Sequence, residues 1–266
     1  MEINLNAYLN RINYVGPGIA NIEVLKQLHY LHPISIPFEN INPWLGLPVP
    51  LQLDQLQEKL IMRQRGGYCY EQNLMFKAVL TALGFKVSGL IARVRWNIGA
   101  DIVTPRSHMA LLVQTGNETY LCDVGFGGLT LTTPLKLQYD LIQKTPHETF
   151  RLVKQNEFAS LEVLIKEDWK TVYVFALDEQ FEADYKVANW YMSTHPESVF
   201  TNNLIIARPT SNGRLSLTNT ELTERKNDGT IQKQILTSVT DLLKLVKAKF
   251  AIDLPKDIDL GSKLLF

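Results

Sequence analysis

Cysteine is nearly absent from this chain: 266 residues carry only Cys69 and Cys122. So few cysteines exclude a disulfide scaffold at this length, and their spacing is not the paired spacing of a structural zinc site. Neither sign of charge is in excess, since Lys plus Arg and Asp plus Glu each number 27. No whole-surface field would therefore gather nucleic acid or an anionic membrane, and neither is expected as a partner. No stretch approaches the roughly 20 apolar residues of a membrane helix. The opening MEINLNAYLN also lacks a basic segment followed by an apolar run. Internal repeats and low-complexity segments are missing as well. These absences lead us to expect a soluble, cytoplasmic protein in which any special cysteine is special for its reactivity. With 45% apolar and 20% charged residues a packed core is expected, and the length allows one large domain or two to three small fused ones.

As far as about Phe85 the pattern is helical. Leu5, Tyr8, Leu9 and Ile12 fall on one stripe, and Ile22, Leu25 and Leu28 on a second with His29 at its edge. Between these helices and the next lies HPISIPFENINPWLGLPVP, whose prolines at 33, 37, 43, 48 and 50 predict an extended loop. Loops of that length are often functional. After Gly84 the texture changes to short β-rich runs: KVSGLIARVRW, HMALLV, TYLCDVGF, ETFRLVKQ, ASLEVLIKE and WKTVYVFAL. Hairpin-length strands in series imply a barrel or a strongly curved antiparallel sheet. The last third begins with ADYKVANWYMSTH and continues through strands around LIIAR, GRLSL and TIQKQIL. A hairpin turn is predicted at Asn227-Asp228-Gly229, and a final helix carries Leu242, Leu245, Val246 and Phe250 as its apolar stripe.

The chemistry concentrates in RQRGGYCYEQNLMFKAVLTALGF. Two glycines lead into an amphipathic helical pattern that carries Leu74, Val79, Leu80 and Leu83, so Cys69 falls at a helix start. Unpaired N–H groups and the positive end of the macrodipole there favour a thiolate, the form that attacks carbonyl carbon. Gly66 and Gly67 fit a backbone that must stay slim beside a reacting centre. Taken alone, Cys69 fits a buried small hydrophobe better than a nucleophile, and the glycines fit a turn.

A thiolate catalyst needs a base, and the base needs a third group to orient it. If HMALLV and TYLCDV pair around Gly116-Asn117, residues whose numbers sum to 233 lie opposite each other, so His108 faces Gly125 and Asp123 faces Ala110. His108 and Asp123 then share a face as diagonal neighbours, roughly 7–8 Å apart at the backbone. A slip of one residue would separate them. The following VGFGG places Gly125, Gly127 and Gly128 where backbone N–H groups can form an anion-binding concavity suited to a diphosphate, although a β-bulge explains the same residues. A Cys, His, Asp order with this geometry points to nucleophilic catalysis.

These motifs resemble the arylamine N-acetyltransferase family over nearly the whole chain. RGGYCYEQN at 65–73 is similar to that family's nucleophile motif, SHMALLV at 107–113 to its histidine strand, and CDVGFGG at 122–128 to its aspartate and coenzyme A loop. IPFENIN at 36–42 resembles its acceptor-pocket loop, and MSTHPESVFTNNLIIARPT and LTNTELTER resemble its C-terminal segments. The resemblance implies an α+β fold with a cysteine-protease-like core: a helical bundle over 1–85, a central antiparallel β-barrel over 86–182 and an α/β lid over 183–266. It implies a catalytic triad of Cys69, His108 and Asp123. Gly125, Phe126 and Gly127 would lie at the cofactor site, and Phe38 on the acceptor side. Arg65 and Glu71 would be structural, as buried ion-pair or hydrogen-bond partners. Acetyl-coenzyme A would be the acyl donor and an arylamine or hydrazine the acceptor. Transfer would be ping-pong through a Cys69 thioester, with no metal. Two other readings of the same residues are a thiol hydrolase or transglutaminase-like enzyme and a non-catalytic binding protein of the same fold.

Overall fold

The structure, a computed structural model, describes residues 2–99, 101–254 and 258–264. Met1 of the expected 1–85 unit, Ala100 of the second, and 255–257 and 265–266 of the third lie outside the described residues.

The chain opens with α1 (Leu5–Arg11) and α2 (Ile22–Ser35). Each is started by an asparagine that accepts an N–H of the first turn: Asn4 from Ala7 and Asn21 from Val24. A two-residue strand β1 (Phe38–Glu39) and the short helices α3 (Ile41–Trp44) and α4 (Leu53–Gln57) follow, the last continuing into a π-helical turn over Glu58–Met62. Next comes α5 (Cys69–Ala82), at whose start the Glu71 carboxylate accepts the Tyr68 N–H at 3.0 Å. The expectation of an unbroken extended loop from Pro33 onward is corrected twice. Pro33 sits in the last turn of α2 and Pro43 inside α3. Both helices stop shortly after the proline, so little of the ladder depends on the missing N–H.

The barrel strands are β2 (Lys86–Val94), β3 (Arg106–Thr115), β4 (Glu118–Cys122), β5 (Leu135–Lys136), β6 (Gln143–Lys144), β7 (Thr149–Gln155), β8 (Phe158–Ile165) and β9 (Asp168–Phe175). They form one antiparallel sheet in the order β5-β4-β3-β2-β9-β8-β7-β6. The two edges nearly meet, because the Gln143 side chain accepts the Lys136 N–H at 2.8 Å and donates to the Lys136 carbonyl at 3.0 Å. The fold is thus α+β around a nearly closed eight-stranded barrel. The two-residue strands β5 and β6 are too short to leave a periodic signal.

Strand β3 is buried on both faces, which explains its continuous apolar run. Met109, Leu111 and Val113 join the helical core with Leu28, Phe76 and Leu80, whereas Ala110 and Leu112 face the barrel interior with Phe150, Leu161 and Tyr173.

Beyond the barrel come α6 (Glu182–Thr194), α7 (Val199–Asn202), β10 (Ile205–Thr210), β11 (Gly213–Thr218), β12 (Glu221–Lys226), β13 (Ile231–Ile235) and α8 (Val239–Phe250). The four strands extend a second sheet, β1-β10-β11-β12-β13, so the N-terminal segment contributes its first strand. The predicted turn joins β12 to β13, with Gly229 at a φ of 89°. The predicted stripe of α8 packs as expected: Leu242, Val246 and Phe250 are buried against Leu215, Leu217 and Leu222 of the sheet. Among the described residues no helix is long and apolar enough to cross a membrane.

Candidate active site

Cys69 is the first residue of α5 and is 3% exposed. At this position the backbone N–H has no partner within the helix. The segment before it is anchored by buried charges. Arg65 Nη2 donates to Glu39 at 2.6 Å, and Lys59 Nζ donates to Glu71 at 2.7 Å. Arg65 and Glu71 therefore do pair in the interior, tying the nucleophile segment to β1 and to the π-turn. The reason expected for the two glycines is corrected. A Cβ on Gly66 would lie 2.0 Å from the Pro37 carbonyl, and one on Gly67 2.7 Å from the Glu71 carboxylate. They make room for the 37–39 backbone and the helix start; the reacting centre is not what excludes a side chain.

His108 lies on β3 and Asp123 directly after β4. Their hairpin has the expected register: Leu111 opposes Cys122 and Leu112 opposes Leu121, pairs that sum to 233. The ladder stops at Cys122, however, so neither Asp123 nor Gly125 is paired across it. Instead the turn is pulled toward the helices. The Asp123 N–H donates to His29 Nε2 at 3.0 Å, and the Val124 N–H to Asn73 Oδ1 at 3.1 Å. The shared face survives, and His108 Nε2 donates to Asp123 Oδ2 at 2.7 Å with both side chains buried. The Cys69 side chain reaches the same strand, its Sγ 3.9 Å from the Ser107 carbonyl oxygen, close enough to act on the imidazole.

The electrostatics follow from these contacts. Burial disfavours a charged His108, but the Asp123 carboxylate, its hydrogen bond to the ring and the neighbouring Cys69 outweigh it and raise the imidazole to about 10. Burial likewise works against an ionised Asp123. The His108 charge, with hydrogen bonds from His108, the Gly125 N–H and Asn73, nonetheless lowers it below the usual aspartate value. At neutral pH the pair is imidazolium and carboxylate. Tyr173 and Phe126 flank the imidazole, each with its ring centroid 5.1 Å away.

Cys69 and His108 open onto a cavity of about 370 Å³ walled by Phe38, Trp96, Phe126, Met192 and Phe200. Gly125 and Gly127 also line it, so the predicted Phe38, Gly125, Phe126 and Gly127 all gather at one pocket. The expected anion-binding concavity is corrected. The Gly125 N–H donates to Asp123 Oδ1 at 2.9 Å and the Gly127 N–H to Thr130 Oγ1 at 2.7 Å, which commits both amides inside the protein. A second cavity, of about 460 Å³, shares Trp96, Phe126, Gly128 and Ile205 with the first and is less apolar than it, with Asn97, Ser216, Arg214 and Arg225 among its walls. Among the described residues no group of three or more His, Cys, Asp or Glu could hold a metal ion.

Sequence reasoning missed Asn73, His29, Tyr173, Met192 and Phe200. Only Asn73 carried a local signal, since it follows Cys69 by four residues and so shares its helix face.

Comparison with known proteins gives the family. The family model described as N-acetyltransferase matches residues 21–258. The chain is 37% identical to the arylamine N-acetyltransferase of Escherichia coli (strain K12), over 93% of this chain and 88% of the relative. It is equally identical to that of Mycobacterium tuberculosis, over 99% and 93%. Among solved structures, the M. tuberculosis arylamine N-acetyltransferase superposes with a TM-score of 0.94 at 36% identity, covering 97% of each chain. The Mycobacterium marinum enzyme in complex with CoA gives 0.90 at 34% identity, covering 94% of this chain and 93% of that one. With sequence and fold matching the same proteins over nearly their full length, the chain belongs to the arylamine N-acetyltransferase family and is an acyltransferase of that class.

Proposed function

We propose that this enzyme transfers acetyl from acetyl-coenzyme A to an arylamine or hydrazine by a ping-pong mechanism through a thioester on Cys69. The observation that carries this reading is the buried His108–Asp123 pair meeting a cysteine at a helix N-terminus on the floor of an apolar pocket. We read that helix-and-strand arrangement as a cysteine-protease-like core. The segments 1–85, 86–182 and 183–266 serve as nucleophile bundle, His/Asp barrel and lid.

In the first half-reaction the Cys69 sulfur attacks the thioester carbonyl. The tetrahedral oxyanion is met by backbone N–H groups at the start of α5. Collapse breaks the carbon–sulfur bond to coenzyme A, whose thiolate takes a proton from His108. In the second, the neutral amine attacks the Cys69 thioester, His108 accepts the amine proton, and the amide leaves as the thiolate re-forms. Asp123 stays ionised throughout and stabilises the imidazolium.

The aromatic walls Phe38 and Phe200 suit a flat acceptor, and Gly125, Phe126 and Gly127 stand on the donor side. The neighbouring cavity, with the exposed Arg225 on its wall, suits the phosphates of the donor, in place of the committed Gly125 and Gly127 amides. Both cysteines are free, which suits a reducing, cytoplasmic setting.

The reading is tested by exchange of labelled coenzyme A into acetyl-coenzyme A without any acceptor. A ping-pong enzyme catalyses it. No exchange, or steady release of acetate to water instead, would replace the transferase mechanism with a ternary-complex or hydrolase one.

A further inference from the structure

Asn73 is fully buried and sits one helix turn after Cys69 on α5. All of its polar hydrogens are used. Nδ2 donates to the Met109 carbonyl at 2.8 Å and to Asp123 Oδ1 at 3.1 Å, while Oδ1 accepts the Val124 N–H at 3.1 Å. One side-chain amide therefore fastens the cysteine-bearing helix to the residue after His108 and to both sides of the Asp123 turn. The Asp123 carboxylate is filled by this contact. Oδ1 takes Asn73 and the Gly125 N–H, which leaves Oδ2 to the imidazole.

On the backbone side, His29 Nε2 accepts the Asp123 N–H. His29 is buried with Phe76 edge-on to its ring.

We propose that Asn73 is a positioning residue for the transfer reaction, holding the Asp123 carboxylate in the orientation that serves His108, with His29 seating the Asp123 backbone. This inference rests on the reading of Cys69, His108 and Asp123 given above. Residue chemistry restricts the position: aspartate offers no donor to Asp123, alanine offers nothing, and glutamine is longer by a methylene in a filled site.

A packing role and a positioning role rank two variants in opposite order. Asn73→Asp keeps the size and the acceptor for Val124 but removes both donors and sets a second carboxylate against Asp123. Asn73→Ala removes all three bonds without adding charge. If Asn73 only fills space and ties backbone, Asn73→Asp is the gentler change; if it holds the carboxylate, Asn73→Asp is the worse.

The test measures acetylation of Cys69 by acetyl-coenzyme A without acceptor, together with alkylation of Cys69 by iodoacetamide at neutral pH and the KM for an acceptor amine. For Asn73→Ala both rates fall about 100-fold, as expected for a reacting group misplaced on the ångström scale, with acceptor KM unchanged. Asn73→Asp falls further. Faster reaction of Asn73→Asp than of Asn73→Ala overturns the proposal. Should Asn73→Asp fail to fold, wild-type alkylation of folded Asn73→Ala overturns it instead. A wild-type protein that takes no acetyl group refutes the transferase reading, while the alkylation ranking still decides the role of Asn73.

Discussion

Gly125 lies so close to Cys69 that a methyl group on it would sit 2.8 Å from the Cys69 Cα and 2.9 Å from Asn73 Nδ2. The first contact is with backbone and cannot be relieved by a rotamer change. Gly125→Ala must therefore push the Asp123 turn away from the nucleophile helix.

We expect Gly125→Ala to lose about 1–3 kcal/mol of stability, as overpacked cores do, and most of its acetyl transfer. Gly128, three residues on in the same loop, is exposed with nothing within 4 Å of an added Cβ. Gly128→Ala should keep the wild-type melting temperature. Thermal denaturation of the two variants checks both, and equal behaviour would contradict the account.

Asp123→Asn retains a hydrogen-bond acceptor for His108 but removes the charge that holds the imidazole up to about 10 against its burial. The imidazolium is then unsupported in a buried site. Single-turnover acetylation of this variant should fall by at least about 1,000-fold, the scale seen when the carboxylate of a buried triad is neutralised. A loss smaller than tenfold would mean that Asp123 only shapes the turn.

Much of the site was legible because it rests on local rules. The sum rule for the β3–β4 hairpin follows from a short turn at Gly116-Asn117, and it alone puts His108 and Asp123 on one face. Cys69 at a helix start follows from the apolar spacing after RGGYC. What escaped was set by distant packing. Gly66 and Gly67 answer to Pro37 and Glu71, the Asp123 turn leaves the ladder for His29 and Asn73, and β5 and β6 owe their pairing to barrel closure. Sequence spacing carries no signal for such contacts, so the glycine-rich loop looked like an anion site although its Gly125 and Gly127 amides bond inward.

Two histidines of α2 predict acid lability. Burial lowers His29 to about 4 and His32 to about 3, from 6.5. Both are neutral in the fold: His29 accepts the Asp123 N–H, and His32 donates to Gln72 while accepting from Tyr8. Because the unfolded chain binds these protons first, their contribution is fully present above pH 6.5 and is lost as pH falls from there through the folded values. Urea midpoints measured between pH 7 and pH 4 should decline, and His32→Gln should decline less. A flat profile in the wild type would contradict the assignment.

Breaking the Glu39–Arg65 pair is expected to damage folding more than chemistry. Both side chains are buried, and Arg65→Leu would leave Glu39 with the Ile41 N–H and, for countercharge, the more distant Lys59 at 3.4 Å. A loss of about 3 kcal/mol in denaturant titration is expected, typical of a buried charge deprived of its partner. The exposed Lys26–Glu23 pair is the control, and Lys26→Ala should leave the midpoint unchanged.

The most direct test of the central claim is intact-protein mass spectrometry after brief exposure to acetyl-coenzyme A without acceptor, comparing the wild type with Cys69→Ala. The account predicts one acetyl adduct on the wild type, none on Cys69→Ala, and its discharge on adding an arylamine. An adduct that persists in Cys69→Ala, or a wild-type protein that forms none, would contradict it.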